Sequence, residues 1–503
     1  MLSRIYAPAL SSLDEELIEI ECDLSSGLPG FVMVGLADKA VDEARERVRS
    51  AVKNSKLMLP QKRITLNLAP ADIPKDGTGY DLGMAVAVLC ASGQIEAEAT
   101  RDCLFLGELA LDGTLRPVKG AILAAEAARR REFRCVYLPA GNAEEAALIP
   151  NIKIMPVRCL AELYYHLTGI HPLSAAPATR LDASEEPAAA EVDLKDVYGQ
   201  SYAKRALEIA AAGGHNILFS GPPGSGKTLL SKALSGVIPP PTYEEMLETT
   251  KIHSLTGANN HKIITARPFR APHHTASSVS LIGGGSVPRP GEISLSHNGI
   301  LFLDEVPEFP RQVLEVLRQP LEDGHITISR ASRSTRFPAN FMLVATRNPC
   351  PCGFAGSDTG RCDCTTYTIA QYAKRLSGPL LDRIDLIIEV QPVDRADITE
   401  RRDAEPSAAV AARVKSARKI QAKRFESRPG CLNNNMGTDD LKTYCALDAD
   451  TKAVARHAIA ALGLTARSYT KAIKVARTIA DLDCSETILF AHFSEALQYR
   501  GRK

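Results

Sequence analysis

The chain has 503 residues, too many for one ordinary hydrophobic core, so several domains are expected. Apolar residues make up 45% and charged residues 24% with a net charge of +1, a soluble composition that points to neither nucleic acid nor membrane. No apolar run has the length of a membrane span, the chain starts without the apolar core of an export signal, and twelve cysteines suit a reducing compartment, which together predict a cytoplasmic protein.

The chain divides into four stretches of different pattern. Residues 1–170 alternate strand-like and helix-like runs, and residues 171–192, rich in Ala, Pro, Ser and Glu, are expected to form a flexible linker. Residues 193–400 begin as helix, strand, Gly-rich loop and helix and continue with β/α alternation. Residues 401–503 are mostly helical and locally basic, with 19 Lys and Arg against 11 Asp and Glu. We therefore predict a multidomain α/β protein with a parallel sheet in its third stretch.

A Gly-rich loop lies between an apolar strand at 217–220 and a helix that begins near Thr228. Glycines let backbone wrap around phosphate oxygens, and a helix N-terminus offers free N–H groups to an anion. The sequence predicts that Lys227 reaches the β- and γ-phosphates of ATP and that the Thr228 hydroxyl binds Mg²⁺. The nucleotide-binding loop is Gly221, Pro222, Pro223, Gly224, Ser225, Gly226, Lys227 and Thr228.

A second apolar strand at 300–303 ends in Asp304 and Glu305. A strand buried on both faces delivers its terminal carboxylates to the sheet edge where phosphates bind. Asp304 is expected to hold Mg²⁺, and Glu305 to polarise the attacking water.

Three further polar residues lie at the end of a strand, at a helix-to-strand junction or at the start of a helix. Asn348 comes directly after a strand at 342–346 and could orient the lytic water. Arg383 lies at a helix-to-strand junction that suits a finger reaching a neighbouring subunit's nucleotide, and Arg467 opens a helix and could reach the γ-phosphate in cis. By residue type alone, each could equally be a surface or salt-bridge residue.

Several long motifs carry a family resemblance: 267–274 (RPFRAPHH), 290–305 (PGEISLSHNGILFLDE), 348–353 (NPCPCG) and 380–385 (LLDRID). The chain resembles the bacterial ComM/YifB family of magnesium-chelatase-like AAA+ ATPases over nearly its whole length. The resemblance implies a Lon-protease-like (ribosomal-protein-like α+β) N-terminal domain, an AAA+ core, a helical C-terminal lid and a hexameric ring. It assigns Asn348 the sensor-1 role, Arg383 the arginine finger and Arg467 the sensor-2 role. The activity it implies is ATP-driven branch migration of DNA during natural transformation.

The N-terminal stretch lacks the pair of residues that a Lon-type protease requires. The loop that resembles the nucleophile segment holds Thr78, Gly79 and Tyr80 in place of a serine. At the position of the partner lysine stands Ile122, and Lys119 is out of register. A Ser–Lys dyad needs both a hydroxyl and a nearby amine, so proteolysis is not expected and the domain is interpreted as a scaffold or DNA platform.

Residues 324–337 alternate isoleucine with polar residues and then supply Arg330, Arg333 and Arg336 with no acid nearby. The pattern predicts a β-hairpin whose arginines bind DNA phosphates in the pore of a ring. The alternative is a solvated hairpin face.

Four cysteines, Cys350, Cys352, Cys362 and Cys364, are clustered directly after the sensor strand with the spacing C-x-C-x₉-C-x-C. Four thiols within fifteen residues could bind Zn²⁺ and fold a loop that has no core of its own. Free thiols or a redox-sensitive loop are the alternative, because the spacing differs from the common C-x₂-C.

The leading functional prediction is an ATP-dependent ring motor that moves branched or single-stranded DNA, with ATP and Mg²⁺ as cofactors and copies of itself as partners. A chelatase-like or chaperone-like remodeller of protein partners is the alternative.

Overall fold

The structure is a computed structural model that describes residues 2–9, 13, 16–35, 39–73, 75, 77–180, 191–257, 262–285, 288–330, 333–356, 361–376, 378–392 and 404–500. For residues 39, 40, 42, 330, 333 and 462 it describes the backbone alone. Within these ranges, no helix has the length and apolar character needed to cross a membrane.

The N-terminal part is built around a mixed seven-stranded sheet in the order β3-β4-β2-β1-β5-β8-β9. Its strands, together with the small β6–β7 hairpin, are β1 (Leu2–Pro8), β2 (Leu17–Ser25), β3 (Gly30–Val34), β4 (Arg63–Ala69), β5 (Cys103–Phe105), β6 (Glu108–Leu109), β7 (Leu115–Arg116), β8 (Cys135–Pro139) and β9 (Lys153–Val157). Its helices are α1 (Lys39–Asn54), α2 (Asp81–Ala91), α3 (Ala121–Arg130), α4 (Ala143–Ala146) and α5 (Leu160–Leu167). Strand β2 pairs antiparallel with β1 and β4, and the other neighbours in this sheet pair in parallel. The Lon-protease-like character of this part stays a prediction.

The middle part contains a five-stranded sheet, all of whose neighbouring strands pair in parallel, in the order β11-β14-β17-β10-β18. The strands of this part are β10 (Ile217–Ser220), β11 (Phe269–Arg270), β12 (Gly283–Gly284), β13 (Arg289–Pro290), β14 (Ile300–Leu303), β15 (His325–Arg330), β16 (Arg333–Pro338), β17 (Met342–Arg347) and β18 (Leu386–Glu389). Its helices are α6 (Ser201–Gly213), α7 (Lys227–Ala233), α8 (Tyr243–Thr256), α9 (Ser278–Ile282), α10 (Glu292–Leu295), α11 (Arg311–Glu315), α12 (Arg318–Asp323), α13 (Thr366–Arg375) and α14 (Gly378–Leu381). Strands β10 and β14 are buried along their whole length, which explains why both are continuous apolar runs. The predicted parallel sheet is present.

The C-terminal part is helical, as predicted. Its helices are α15 (Ser407–Arg424), α16 (Thr438–Tyr444), α17 (Ala449–Leu462), α18 (Ala466–Leu482) and α19 (Phe490–Gln498). Helix α15 lies along α6, where the side chains of Arg418 and Gln421 donate to the backbone carbonyls of Ala211 and Ala212.

Hydrophobic cores cross two of the predicted domain boundaries. One core joins residues 194–390 with residues 410–499, and another joins residues 104–154 with residues 218–384. Polar contacts reinforce the second junction: the Gly120 N–H donates to the Ser254 hydroxyl at 3.0 Å, and the Tyr243 hydroxyl donates to the Leu148 carbonyl at 2.8 Å. The boundaries at 170, 192 and 400 therefore stay predictions.

Part of the predicted linker is attached to the N-terminal part. The Ala176 and Thr179 N–H groups donate to the carbonyls of Ile154 and Ala147 at 2.8 and 3.0 Å. Residues 181–190 lie outside the described residues.

Candidate nucleotide site

The Gly-rich loop follows β10 and ends where α7 begins at Lys227, as the sequence predicts. Gly224 and Gly226 have φ values of +77° and +88°, which residues with a side chain rarely adopt, and the space where a Cβ would stand is open. A Cβ on Gly221 would lie 2.2 Å from the Val390 carbonyl oxygen, so the strand beside the loop also requires glycine there. The loop is thus shaped for close approach of an anion to its backbone.

Lys227 is buried at the start of α7, and its ammonium group contacts both the first residues of the loop and Asn348. Nζ donates to the carbonyls of Gly221 and Pro222 at 2.7 and 2.8 Å and to Asn348 Oδ1 at 3.2 Å. Desolvation lowers the pKa of Lys227, and the charges of Asp304 and Glu305 oppose that shift. An ammonium group at this position suits charge-assisted hydrogen bonds to phosphate oxygens.

Asp304 lies at the end of β14, across from Thr228 on α7. The Thr228 hydroxyl lies 3.5 Å from Asp304 Oδ2, while the hydroxyl of Thr346 donates to Asp304 Oδ1. Thr346 is fully buried at the end of β17, and its oxygen also accepts from the Glu305 N–H at 2.9 Å. Sequence reasoning missed Thr346; the signal was a hydroxyl in an otherwise apolar strand, two residues before Asn348.

Glu305 is held in an unusual backbone conformation, with φ 51° and ψ 52°. A non-glycine residue in this region costs about 1–3 kcal/mol, and such strain concentrates at functional sites. The Asn348 amide donates to Glu305 Oε1 at 3.2 Å, so Asn348 contacts both the ammonium of Lys227 and the carboxylate of Glu305. The predicted residues at the carboxyl ends of three neighbouring strands therefore form one connected set.

The residues present fit ATP and Mg²⁺. The glycine-walled loop and the ammonium of Lys227 suit phosphates, and the Ser225 hydroxyl, buried in the loop, has no hydrogen-bond partner among the described residues. The Thr228 hydroxyl and the Asp304 carboxylate are the oxygen ligands that Mg²⁺ takes alongside substrate phosphates.

Arg383 and Arg467 lie at the opposite edge of the parallel sheet. Arg383 lies three residues before β18, and its carbonyl accepts from the side chain of Asn216, which directly precedes β10. The phosphate loop, in contrast, follows the end of β10. A four-residue strand rises about 3.3 Å per residue, so roughly 13 Å of sheet separates the two edges. Arg467 contacts Glu322 at this edge of the sheet, and its role at a γ-phosphate stays a prediction.

The same carboxylate oxygen holds both arginines. Glu322 Oε1 lies 2.6 Å from Arg383 Nη2 and also accepts from Arg467 Nη2. Hydrogen bonds from Arg383 and then from Arg467 lower the pKa of Glu322. These groups line a cavity of about 430 Å³ together with Asp385, Lys471 and Lys474. Lys471 pairs with Asp385 at 2.7 Å, so the four cations of the cavity face two carboxylates. Glu322 gave no signal in the sequence, because the contact joins three distant segments.

The predicted Arg-bearing hairpin is formed by β15 and β16, and Arg330 pairs with Arg333 at its tip. One face of the hairpin is buried and carries Ile326, Ile328 and Phe337. Arg336 is exposed on the other face and contacts His325 Nδ1 at 3.0 Å. The side chains of Arg330 and Arg333 lie outside the described part of the chain.

In the N-terminal part, the two segments that resemble the nucleophile and lysine segments of a Lon-type protease do not bring a hydroxyl and an amine together. The Thr78 hydroxyl donates to Glu108. The stem of Lys119 lies against Gly257 at the end of α8, and Ile122 is fully buried. The chemistry of a hydroxyl activated by an amine is therefore not assembled from these residues.

Models of the magnesium chelatase subunit ChlI match three stretches of the chain. The model described as magnesium chelatase, subunit ChlI, matches residues 193–398, subunit ChlI of Mg-chelatase matches 20–142, and the ChlI C-terminal model matches 404–500.

Two similar proteins match nearly the whole chain, and a third matches about a third of it. The competence protein ComM of Haemophilus influenzae and the YifB protein of Escherichia coli are each 43% identical over 503 residues, covering 99% of this chain and 97% of the relative. The magnesium-chelatase 67 kDa subunit of Chlorobaculum tepidum is 26% identical over 164 residues, 31% of this chain and 23% of that protein. Because relatives of this identity match along its full length, the chain belongs to the ComM/YifB family of magnesium-chelatase-like AAA+ proteins.

Proposed function

We propose that this protein is an ATP-hydrolysing ring motor that moves DNA, and that its reaction is branch migration of recombination intermediates during natural transformation. The observation that carries the ATPase proposal is the connected set Lys227, Asn348 and Glu305 beside Asp304 and Thr228. The name of the ComM relative links that protein to competence, which supports the biological setting.

Hydrolysis of ATP requires a water in line with the γ-phosphate and a carboxylate that orients it. Glu305 would take this role, and the hydrogen bond from the Asn348 amide to its carboxylate at 3.2 Å supports the proposal. Lys227 binds the phosphates, while Thr228 and Asp304 would hold Mg²⁺, which neutralises phosphate charge when bound.

Arg383 and Arg467 are proposed to serve the nucleotide of a neighbouring subunit. They are adjacent, they lie far from their own phosphate loop, and they share the carboxylate of Glu322. In a closed ring of identical subunits, one edge of each chain faces the opposite edge of the next. This arrangement supports a ring, which we propose to be a hexamer located in the bacterial cytoplasm.

The hairpin supports DNA as the track. Its buried face anchors it to the sheet and its tip carries Arg330 and Arg333, with exposed Arg336 below. Arginines bind phosphates without reading sequence, which suits a motor that must pass every sequence. The N-terminal part, which we propose has a Lon-protease-like fold, would act as a platform and not as a protease.

ATPase turnover with and without four-way junction or forked DNA tests the proposal, alongside junction migration. We expect DNA to stimulate turnover, and the triple variant Arg330→Ala, Arg333→Ala, Arg336→Ala to lose that stimulation while keeping basal turnover. Arg101→Ala removes an exposed arginine from the N-terminal part and is the matched control. An ATPase that ignores DNA and responds to an unfolded protein instead would replace the DNA motor with a remodeller of protein partners.

A further inference from the structure

The cysteine cluster lies directly after the nucleotide site, in a loop that begins two residues beyond Asn348. Cys350 is fully buried, and Cys352, Cys362 and Cys364 are half-buried. All four sulfur atoms lie within 4.8 Å of one another. Cysteines up to fourteen positions apart in the sequence thus lie at one point.

The spacing of the sulfur atoms matches one tetrahedral ion. The Sγ of Cys350 lies 3.2 Å from that of Cys352 and 3.8 Å from that of Cys362, and Cys352 and Cys362 are 3.6 Å apart. With Zn–S bonds of about 2.3 Å, the edges of a ZnS₄ tetrahedron measure about 3.8 Å. An iron–sulfur cluster would hold its four thiolates farther apart, because the cluster's own atoms separate them.

Backbone N–H groups of the loop donate hydrogen bonds to the cysteine sulfur atoms. The Ala355 N–H donates to Cys350 Sγ at 3.3 Å, and the Phe354 N–H donates to Cys352. Hydrogen bonds from backbone amides stabilise thiolate ligands and fix their orientation. Gly353, directly after Cys352, has a φ of +86°, and its N–H closes the turn by donating to the Cys350 carbonyl at 3.0 Å.

The same turn rests on the phosphate loop. A Cβ on Gly353 would stand 2.5 Å from Cδ of Pro223, so the two backbones are in close contact there. On the other side, the Gly221 N–H donates to the carbonyl of Arg347, three residues before Cys350, at 3.2 Å. The cysteine loop therefore touches the nucleotide-binding loop at Pro223, and the strand that precedes the cysteine loop hydrogen-bonds to Gly221.

We infer that Cys350, Cys352, Cys362 and Cys364 bind one structural zinc ion, and that the zinc-bound loop braces the phosphate loop through the contact of Gly353 with Pro223. The site is closed, since four protein thiolates complete the tetrahedron and leave no open position for catalysis. Zinc would replace the hydrophobic core that a loop of this size lacks. The inference concerns this metal and its support of nucleotide binding, so it does not depend on the DNA motor.

Metal analysis of the full-length protein purified under reducing, anaerobic conditions tests the site. We expect one zinc per chain, and cobalt in its place should give the intense visible absorption of a tetrahedral thiolate complex. The variant Cys352→Ser should lose the metal, whereas Cys484→Ser, an exposed cysteine outside the cluster, should keep it. Zinc well below one per chain, iron in its place, or equal zinc in both variants would overturn the site.

Nucleotide titration of the same samples tests the bracing. Removal of zinc by a chelator should weaken ATP binding about tenfold or more, and added zinc should restore it, which excludes irreversible unfolding. A zinc-free protein that binds ATP as the zinc-bound protein does would overturn the bracing and leave the metal site standing. A motor that binds zinc and ATP but ignores DNA would count against the proposed function alone.

Discussion

Asn348 donates its side-chain amide to the Glu305 carboxylate at 3.2 Å. The carbonyl oxygen of the same side chain accepts from Lys227 at 3.2 Å, so one short residue joins the ammonium of the Gly-rich loop to the carboxylate that follows β14. Lys227 is expected to act in binding, whereas Glu305 and Asn348 are expected to act in turnover.

Three substitutions separate these roles. Lys227→Ala should abolish tight ATP binding, because it removes the buried ammonium. Glu305→Gln and Asn348→Ala should bind ATP within severalfold of the unmodified protein but lower kcat by about 10²–10⁴-fold, the usual contribution of general-base catalysis. Fluorescent-nucleotide titration and steady-state turnover measure the two quantities. Turnover by Glu305→Gln at the unmodified rate would remove Glu305 from the proposed mechanism.

Mixed rings test whether Arg383 and Arg467 act on a neighbour. Arg383→Ala alone should lose about 10³-fold or more in turnover, as for other arginine fingers. Mixing Arg383→Ala with Lys227→Ala subunits should restore activity, since some interfaces then join an intact arginine to an intact phosphate loop. Arg467→Ala should be rescued in the same way. A mixture no more active than its separate components would contradict the action in trans.

Glu322 is expected to restrain both arginines. Arg383 and Arg467 each hydrogen-bond its carboxylate, so reaching a phosphate on another chain must break at least one charge-assisted contact. Glu322→Gln keeps an acceptor oxygen but removes the charge, and should raise basal turnover severalfold without changing ATP affinity. Glu315→Gln, on the preceding helix, is the control. A fall in turnover to the level of Arg383→Ala would show instead that Glu322 positions the arginine productively.

Stability should depend on pH through Glu145. Burial raises its pKa to about 7, against the opposing effect of Ser254 on α8, compared with 4.5 for the free side chain. The folded protein then holds a proton that the unfolded chain releases, so this contribution is complete below about pH 4.5 and is lost as pH rises through about 7. The size of the effect is on the order of 3 kcal/mol.

Glu145→Gln removes this dependence while keeping the shape of the side chain. Thermal unfolding of both proteins between about pH 5 and about pH 8 should show the melting temperature of the unmodified protein falling relative to the variant. Parallel curves for the two proteins would exclude Glu145 as the titrating group.

The nucleotide site could be predicted from the sequence because each of its parts is local. A loop between strand and helix places Lys227, and the ends of parallel strands place Asp304 and Asn348 at one edge. Glu322 could not be predicted, because its contacts depend on how α12, the start of β18 and α18 pack together. The position of Arg467 beside Glu322 could not be predicted either, since the start of a helix does not show which edge of a distant sheet its side chain faces.

The core that joins residues 104–154 to residues 218–384 has a mechanical meaning. The hydrogen bond between Gly120 and Ser254 lies within the same junction. If the five-stranded parallel sheet turns during a hydrolysis cycle, the seven-stranded sheet must turn with it, because separating the two sheets would expose apolar surface. Each subunit of the proposed ring would therefore move as one rigid unit. A rotation that begins at one nucleotide would rotate any DNA held against the N-terminal part by a similar angle.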